Sequence, residues 1–372
     1  MKRILHVVGS MNRAGAESMV MNLYRAIDKQ EYQFDFAYFT EDICDFDDEI
    51  TALGGKIYRI PKKYSKNSII RTVKLFKLIK DNKPFHAVHC HQLFSNGFHL
   101  IAAYLAGIKL RIAHSHNTSD VNSKSLIGKV YQSFSKKLIS NFATNYIACG
   151  IEAGKFLFGE KKAPLFIPNA VDVDNFINVK EKRDITFFNR NTINERTIII
   201  SQIGRLMPVK NVEFSLDFAD YLIKKDVDFH LNIVGDGILA QKLKKLASEK
   251  ELNEHVSFLG VRSDINHILG NTDLLLMPSF HEGFPVILVE SQTAGIPALI
   301  SNRISKEVDL GLNLVHFSSL EDNFERWEKI MKNILSSSEY KTNKQRHEVL
   351  KSHGFDINVS VKRLENVYNG KS

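Results

Sequence analysis

The chain has 372 residues, 44% hydrophobic and 25% charged, which suits a globular protein of two domains at roughly 100–200 residues each. Fifty Lys and Arg against 42 Asp and Glu leave a formal net charge of +8. No apolar run approaches the ~18 residues of a membrane span. The three cysteines, Cys44, Cys90 and Cys149, are widely spaced and indicate neither a zinc knuckle nor a disulfide framework, so a cytoplasmic location with reduced thiols is the default.

The first ten residues, MKRILHVVGS, lack the long apolar core of a secretory leader and read as a first strand. Further strands are expected near 34–40, 56–60, 86–90, 111–115 and 146–149, with helical patterns between them. In GAESMVMNLYRAI, Met19, Leu23 and Ile27 recur every four residues. Residues 59–83 carry nine Lys or Arg, and Asp81 is their only acid. Within this stretch SIIRTVKLFKLIKD reads as a helix with Leu75, Phe76, Ile79 and Thr72 on one face and Arg71, Lys74 and Lys77 toward the other. Its apolar side is expected on a sheet and its basic side on an anionic membrane surface, the competing reading being a solvated basic face.

The polar stretch 178–196 has little to bury and is the expected linker. After it the pattern restarts, with RTIIISQIGR, DFHLNIVG, HVSFLG and DLLLMP as strands and helical patterns between them. Strands alternating with helices imply parallel sheets with right-handed crossovers, buried on both faces. The expected fold class is therefore α/β, with two Rossmann-like domains, 1–177 and 197–353.

The stretch SFHEGFPVILVE (279–290) follows an apolar strand. Its loop carries Glu282 and Gly283, and a helix is expected to start near Pro285, where a missing N–H costs nothing. The free N–H groups of a first helical turn favour an anion. Glu282 and Glu290 bracket that point with seven residues between them. This reads as a pocket for a nucleotide sugar, with phosphates on the helix N-terminus and hydroxyls on the glutamates. A glycosidase would need two carboxylates facing one bond. With Glu290 two turns into the helix, the pair is expected to be too far apart for that.

Gly9 and Gly15 frame a loop at the carboxyl end of the first strand, where ligands bind in open α/β sheets. Met11 stands where the second glycine of G-x-G-x-x-G would be, which argues against a dinucleotide dehydrogenase. IGRLMPVKN sets Gly204 and Arg205 at a strand end and Lys210 in the next loop. Two such cations can neutralise a diphosphate. His114 and His116 lie two apart on one strand face, as do His89 and His91 on the preceding strand. A metal would need a further ligand, and none is evident at short range. Asp-Val-Asp occurs at 172–174 and 226–228, and neither looks like a metal site, so no metal or other cofactor is expected.

Taken in order, HVVGSMNRAGAE, RIAHSHN, IPNAVD, IGRLMPVKN, IVGDG and the E-x7-E segment resemble the family-4 retaining glycosyltransferases of GT-B fold. The resemblance spans nearly the whole chain. It implies two Rossmann-like domains facing across a cleft, the first for the acceptor and the second for the donor, with a terminal helix (354–372) crossing back to the first. It implies catalytic roles for His116, Arg205, Lys210 and Glu282, with His114 and Asn117 in support. Gly15, Gly204, Gly235, Gly283, Phe284, Pro285, Val286 and Glu290 would then line the donor site. The implied partners are a nucleotide sugar, UDP favoured over GDP, and a lipid-linked or oligosaccharide acceptor of capsule or exopolysaccharide synthesis. No nucleic acid is expected. A nucleotide-sugar epimerase and a catalytically inactive membrane- or polyanion-binding scaffold are the alternatives.

Overall fold

The computed structural model describes residues 1–13, 15–64, 67–117, 125–179, 184–188, 193–337 and 341–371. They form two compact units, Met1–Ala170 with Ile357–Ser372, and Val171–Asp356.

The first unit is built on seven strands: β1 (Lys2–Val7), β2 (Tyr32–Tyr38), β3 (Ile57–Arg59), β4 (Ala87–Cys90), β5 (Leu110–Ser115), β6 (Asn145–Ala148) and β7 (Leu165–Phe166). They are parallel, in the order β3-β2-β1-β4-β5-β6-β7. The order reverses between β1 and β4, the point where such sheets bind ligands beyond the strand ends. The crossovers are α1 (Gly15–Ala26), α2 (Asp47–Ala52), α3 (Ser68–Asp81), α4 (Asn96–Leu105), α5 (Leu126–Phe142) and α6 (Ile151–Phe158). Alternation along the strands feeds two cores. Ile4, Phe34, Phe36 and Ile112 enter one with α1, while Leu5, Val7, Val88 and Ala113 enter the other with α3, α4 and α5.

Helix α3 starts where the Asn67 side chain accepts the N–H groups of Ile69 and Ile70 at 3.0 and 3.1 Å. Leu75 and Ile79 are buried, and Lys74 and Lys77 are exposed. Arg71 departs from the expectation that it faces lipid. Its guanidinium lies 4.0 Å over the Phe39 ring, and Nη2 bonds His99 Nε2 at 3.0 Å and Gln92. The reason is the helical period, since positions 71, 75 and 79 share one stripe. What α3 turns outward beside its lysines is Ile69, Ile70 and Val73.

The second unit opens with α7 (Val173–Phe176) and holds six parallel strands. These are β8 (Ile198–Ile203), β9 (Phe229–Val234), β10 (Val256–Gly260), β11 (Leu274–Met277), β12 (Ala298–Ser301) and β13 (Val315–Ser318), in the order β10-β9-β8-β11-β12-β13. Between and after them run α8 (Val212–Lys224), α9 (Ala240–Glu249), α10 (Ile265–Gly270), α11 (Val286–Ala294), α12 (Phe324–Ser336) and α13 (Asn343–Ser352). The chain divides at Ala170 and Val171, so the polar stretch 178–196 falls inside this unit. Of that stretch, 180–183 and 189–192 lie outside the described residues. Asp184 is tied in, its N–H donating to Asn271 Oδ1 at 2.6 Å.

The last helix, α14 (Ile357–Tyr368), belongs to the first unit and lies against α1. Ile357, Val361, Leu364 and Val367 enter its core. Tyr368 reaches the middle of the sheet, its Oη 3.0 Å from His89 Nδ1. Among the described residues, no helix is long and apolar enough to cross a membrane.

Candidate active site

In the second unit, the loops that leave β8 and β11 are neighbours because the strands are. Several bonds hold them together. Phe280 N–H donates to Val209 O at 2.9 Å, and Asn211 Nδ2 donates to Pro278 O at 3.1 Å. Gln202 Nε2 donates to Lys210 O at 2.9 Å. Asn211 takes the left-handed conformation (φ 51°) between the 3-10 turn Pro208–Lys210 and α8. This framework aims Lys210 at Glu282, whose carboxylate it holds through both oxygens at 2.7 and 2.8 Å. The pair is largely withdrawn from water, with 22% of the Lys210 side chain and 10% of the Glu282 side chain exposed. Arg205 is exposed on the same β8 loop.

The β8 and β9 loops interlock as backbone. Gly204 N–H donates to Val234 O at 2.9 Å, and Leu206 N–H donates to Asp236 O at 2.9 Å. Gly235 (φ 128°) sits so close to Gly204 that a Cβ would overlap the Gly204 carbonyl oxygen. Its glycine is therefore a requirement of this weave.

Pro285 is the N-cap of α11, so the helix starts at Val286, near Pro285 as the sequence placed it. Leu288 N–H reaches back to Pro285 O at 3.1 Å, so the amides of Val286 and Ile287 precede the first bond of the helix. The Val286 side chain is buried, and only its backbone can meet a ligand. Phe284 stacks on Phe355, with centroids 5.2 Å apart, and fixes the approach of the loop. Gly283 joins Glu282 to this turn. Glu290 is half-buried, the fifth residue of α11, and so one turn into the helix where two were expected. What argues against a glycosidase pair is instead the engagement of both Glu282 oxygens by Lys210.

In the first unit, β1, β4 and β5 put five histidines on one sheet face. His6 pairs in register with His89, and His91, just past β4, continues the register opposite His114. The rings form two strings. His6 Nδ1 lies 3.0 Å from His91 Nε2, and His91 Nδ1 lies 2.9 Å from His116 Nε2. Tyr368 Oη, His89 and His114 form the other, with 3.2 Å between His89 Nε2 and His114 Nδ1. Burial holds His6, His89, His91 and His114 well below the usual imidazole pKa, and it pushes His116 down to about 4. All five are neutral at pH 7. His116 and Asn117 reach the carboxyl edge of the sheet, half-buried and exposed respectively. Gly15 opens α1 at that same edge, and nothing lies within 4 Å of where its Cβ would be.

The residues read from the sequence thus fall into two sets, Arg205, Lys210, Glu282 and α11 in one unit, and His114, His116, Asn117 and Gly15 in the other. Sequence reading found no third ligand beside His114 and His116. The sheet supplies His91 against both, and His6 beyond it. His6 was hidden inside an apolar strand, and its one signal was a polar residue at a core position of that strand.

Residues 184–365 match the family model of glycosyl transferases group 1, and residues 13–175 match that of Glycosyltransferase Family 4. The chain is 37% identical over 372 residues to a Bacillus subtilis (strain 168) protein named "Putative glycosyltransferase EpsF", covering 99% of this chain and 96% of that one. It is 29% identical over 262 residues, 66% of each chain, to an Escherichia coli UDP-Gal:alpha-D-GlcNAc-diphosphoundecaprenol alpha-1,3-galactosyltransferase. Among solved structures, Anabaena HepE in complex with UDP-glucose matches with a TM-score of 0.77 and 16% identity over 100% of both chains, a likeness of fold. The chain belongs to the family-4 glycosyltransferases and has their GT-B fold.

Proposed function

We propose that the protein moves a hexosyl or N-acetylhexosaminyl group, with retention, from a nucleotide sugar to a lipid-linked glycan acceptor in cell-surface polysaccharide synthesis, of the capsule or exopolysaccharide kind. The observation that carries this reading is the Lys210–Glu282 pair, which joins the β8 loop that also bears Arg205 to the β11 loop that leads into the first amides of α11. That set offers two cations and free N–H groups to a diphosphate and a fixed carboxylate to a sugar. UDP is the favoured base carrier, and the name of the Escherichia coli relative, a UDP-Gal-dependent transferase, supports it.

In this reading the bond between the anomeric carbon and the phosphate oxygen breaks, and its electron pair stays on the phosphate. The acceptor oxygen forms the new bond on the same face. Its proton passes to the leaving phosphate. Arg205 and Lys210 stabilise the charge that develops there. Glu290 takes ribose hydroxyls and Glu282 the sugar hydroxyls, while His116, in the first unit, keeps the catalytic role that the family resemblance implies. No metal is needed for transfer.

A lipid-linked acceptor calls for a membrane surface. Support comes from the outward side chains of the first unit. Ile69, Ile70 and Val73 of α3, and Leu126, Ile127 and Val130 of α5, are exposed near the starts of their helices, with exposed Phe134 one turn beyond Val130. Those starts lie at the carboxyl edge of the sheet, as they must in a parallel α/β layer. Lys74, Lys77 and Lys129 are exposed among them. Apolar residues with lysines around them suit the interface of an anionic membrane.

Incubation with a panel of UDP- and GDP-sugars and a polyprenyl-diphosphate glycan, with products read by mass spectrometry, tests the reading. A new α-linked sugar on the lipid glycan is expected. Conversion of one nucleotide sugar into its epimer without acceptor would replace it with the epimerase alternative.

A further inference from the structure

The histidine strings leave polar ring atoms buried and unpaired. A neutral imidazole carries one N–H and one lone pair. Within the two strings, three buried ring nitrogens have no hydrogen-bond partner among the described residues: His6 Nε2, His114 Nε2 and His116 Nδ1. Each such atom costs on the order of 1–3 kcal/mol when left unsatisfied. A sheet face that only needed filling would be better served by the Phe and Ile that surround it.

Among the described residues, two trios bring ring nitrogens together. In both His6, His89, His91 and His91, His114, His116, one nitrogen per residue lies within 4.8 Å of the others. The second trio has what a metal site requires. His114 and His116 are i and i+2 on one strand, so both point to one face, and His91 faces them from the next strand. Their outer partners orient them. When His114 Nδ1–H donates to His89 Nε2, and His89 Nδ1–H donates to Tyr368 Oη, the unpartnered His114 Nε2 is a lone pair. When His91 Nε2–H donates to His6 Nδ1, His91 Nδ1 is a lone pair directed at His116 Nε2. Histidine ligands are held by such second contacts in metal sites generally. His91 and His116 are half-buried and leave a way in, whereas His6 and His89 are sealed.

We propose that His91, His114 and His116 bind one borderline divalent cation, Zn²⁺ in the first instance, through three imidazole nitrogens with a fourth position open. Imidazole trios suit Zn²⁺, Ni²⁺ and Cu²⁺ and reject Mg²⁺ and Ca²⁺. The ion takes the place of the proton between His91 Nδ1 and His116 Nε2. Their 2.9 Å separation opens to roughly 3.3 Å when both bind a tetrahedral Zn²⁺ at ~2.05 Å. Because the ion occupies His116, it inhibits sugar transfer. That last step rests on the function proposed above; the binding does not.

The test uses full-length protein freed of metal by chelator. Co²⁺ titration followed by visible absorption, and Zn²⁺ titration by calorimetry, are expected to show one ion per chain, with Zn²⁺ displacing Co²⁺ and Mg²⁺ leaving the spectrum unchanged. The intense visible bands of four-coordinate Co²⁺ are expected. Absence of stoichiometric binding to the wild type overturns the proposal, whatever the variants do. His91→Gln and His114→Gln, checked for folding by circular dichroism, should each weaken binding by at least tenfold, and His353→Gln, an exposed control, should not. Full binding retained by folded His114→Gln, but lost in His6→Gln, also overturns the assignment. In the transfer assay Zn²⁺ is expected to inhibit and EDTA to restore. An inactive preparation that still binds one Co²⁺ with the expected spectrum would count against the transferase reading alone.

Discussion

Lys210 and Glu282 stand 72 residues apart in the chain, yet Lys210 Nζ holds both carboxylate oxygens of Glu282. They meet because β8 and β11 are adjacent and because the Phe280–Val209 and Asn211–Pro278 bonds fasten the two loops. A half-buried pair of this kind keeps each side chain in place while neither is fully solvated. A diphosphate would compete with Glu282 for the ammonium. Under the proposed function, the carboxylate for the sugar and the cation for the diphosphate are therefore coupled.

Arg205→Ala and Lys210→Ala are each expected to lower kcat about a hundredfold, the scale of removing one preorganised charge-stabilising group. Lys210→Ala also strands the Glu282 carboxylate, so it should lower Tm, whereas exposed Arg205 should not. Steady-state kinetics, UDP affinity and thermal unfolding check this. Wild-type turnover in either variant would remove that residue from the reaction.

Gly235→Ala is expected to destabilise the second unit by about 2–3 kcal/mol, through left-handed backbone and overlap with Gly204 O. Denaturant unfolding measures it. Gly311→Ala is the control. That residue shares the positive φ (70°) but has open space around its Cβ, so it should cost less.

Chelation is expected to leave transfer intact or raise it. The proposed function gives the leaving group two cations, Arg205 and Lys210, and each Asp-x-Asp segment has an acid engaged elsewhere: Asp45 accepts from the Arg13 N–H at 2.8 Å, and Asp47 pairs with Arg59. Asp172 accepts from Asn175 Nδ2 at 2.6 Å, and Asp228 lies 3.4 Å from Asn194 Nδ2. An assay with EDTA, then with added Mg²⁺ or Mn²⁺, decides. Activity lost to EDTA and restored by Mg²⁺ would contradict the metal-free mechanism.

His99 supplies a pH dependence. Burial first, and then the charge of Arg71, lower its pKa well below the ordinary 6.5. The folded protein thus keeps His99 neutral while the unfolded chain takes up a proton as pH falls below about 6.5. Stability should fall with acid through that window and be flat in this respect above pH 7. Relative to His99→Gln, the wild type is expected to lose about 1.4 kcal/mol per pH unit between pH 6 and 5. Parallel unfolding curves at the two pH values would show that His99 is not the group responsible.

Vesicle binding should follow the exposed apolar residues as well as the charges. Ile127→Glu with Val130→Glu is expected to release the protein from anionic liposomes, and Lys74→Glu with Lys77→Glu to weaken binding in a salt-sensitive way. Arg71→Glu is expected to disturb folding instead, because Arg71 packs on Phe39 and His99. Cosedimentation at low and high salt separates these outcomes. Unchanged binding in both double variants would leave α3 and α5 as solvated faces.

The sequence by itself determined the α/β alternation, since strands buried on both faces must read as apolar runs such as ILHVV and LLLM, and helices as four-residue periods. It also determined the strand–loop–helix form of 279–290, because Glu282, Gly283 and Pro285 are local signals acting on their own neighbours. Even the inward turn of Arg71 was written in its spacing from Leu75 and Ile79, though its charge argued for the surface. Only the tertiary structure decided which distant residues meet. The pairing of Lys210 with Glu282 depends on β8 lying beside β11. The five-histidine face depends on the register of β1, β4 and β5, in which a slip of one residue would turn a strand's histidines to the opposite side of the sheet. Strand order and register arise from long-range packing, so no local window of residues contains them.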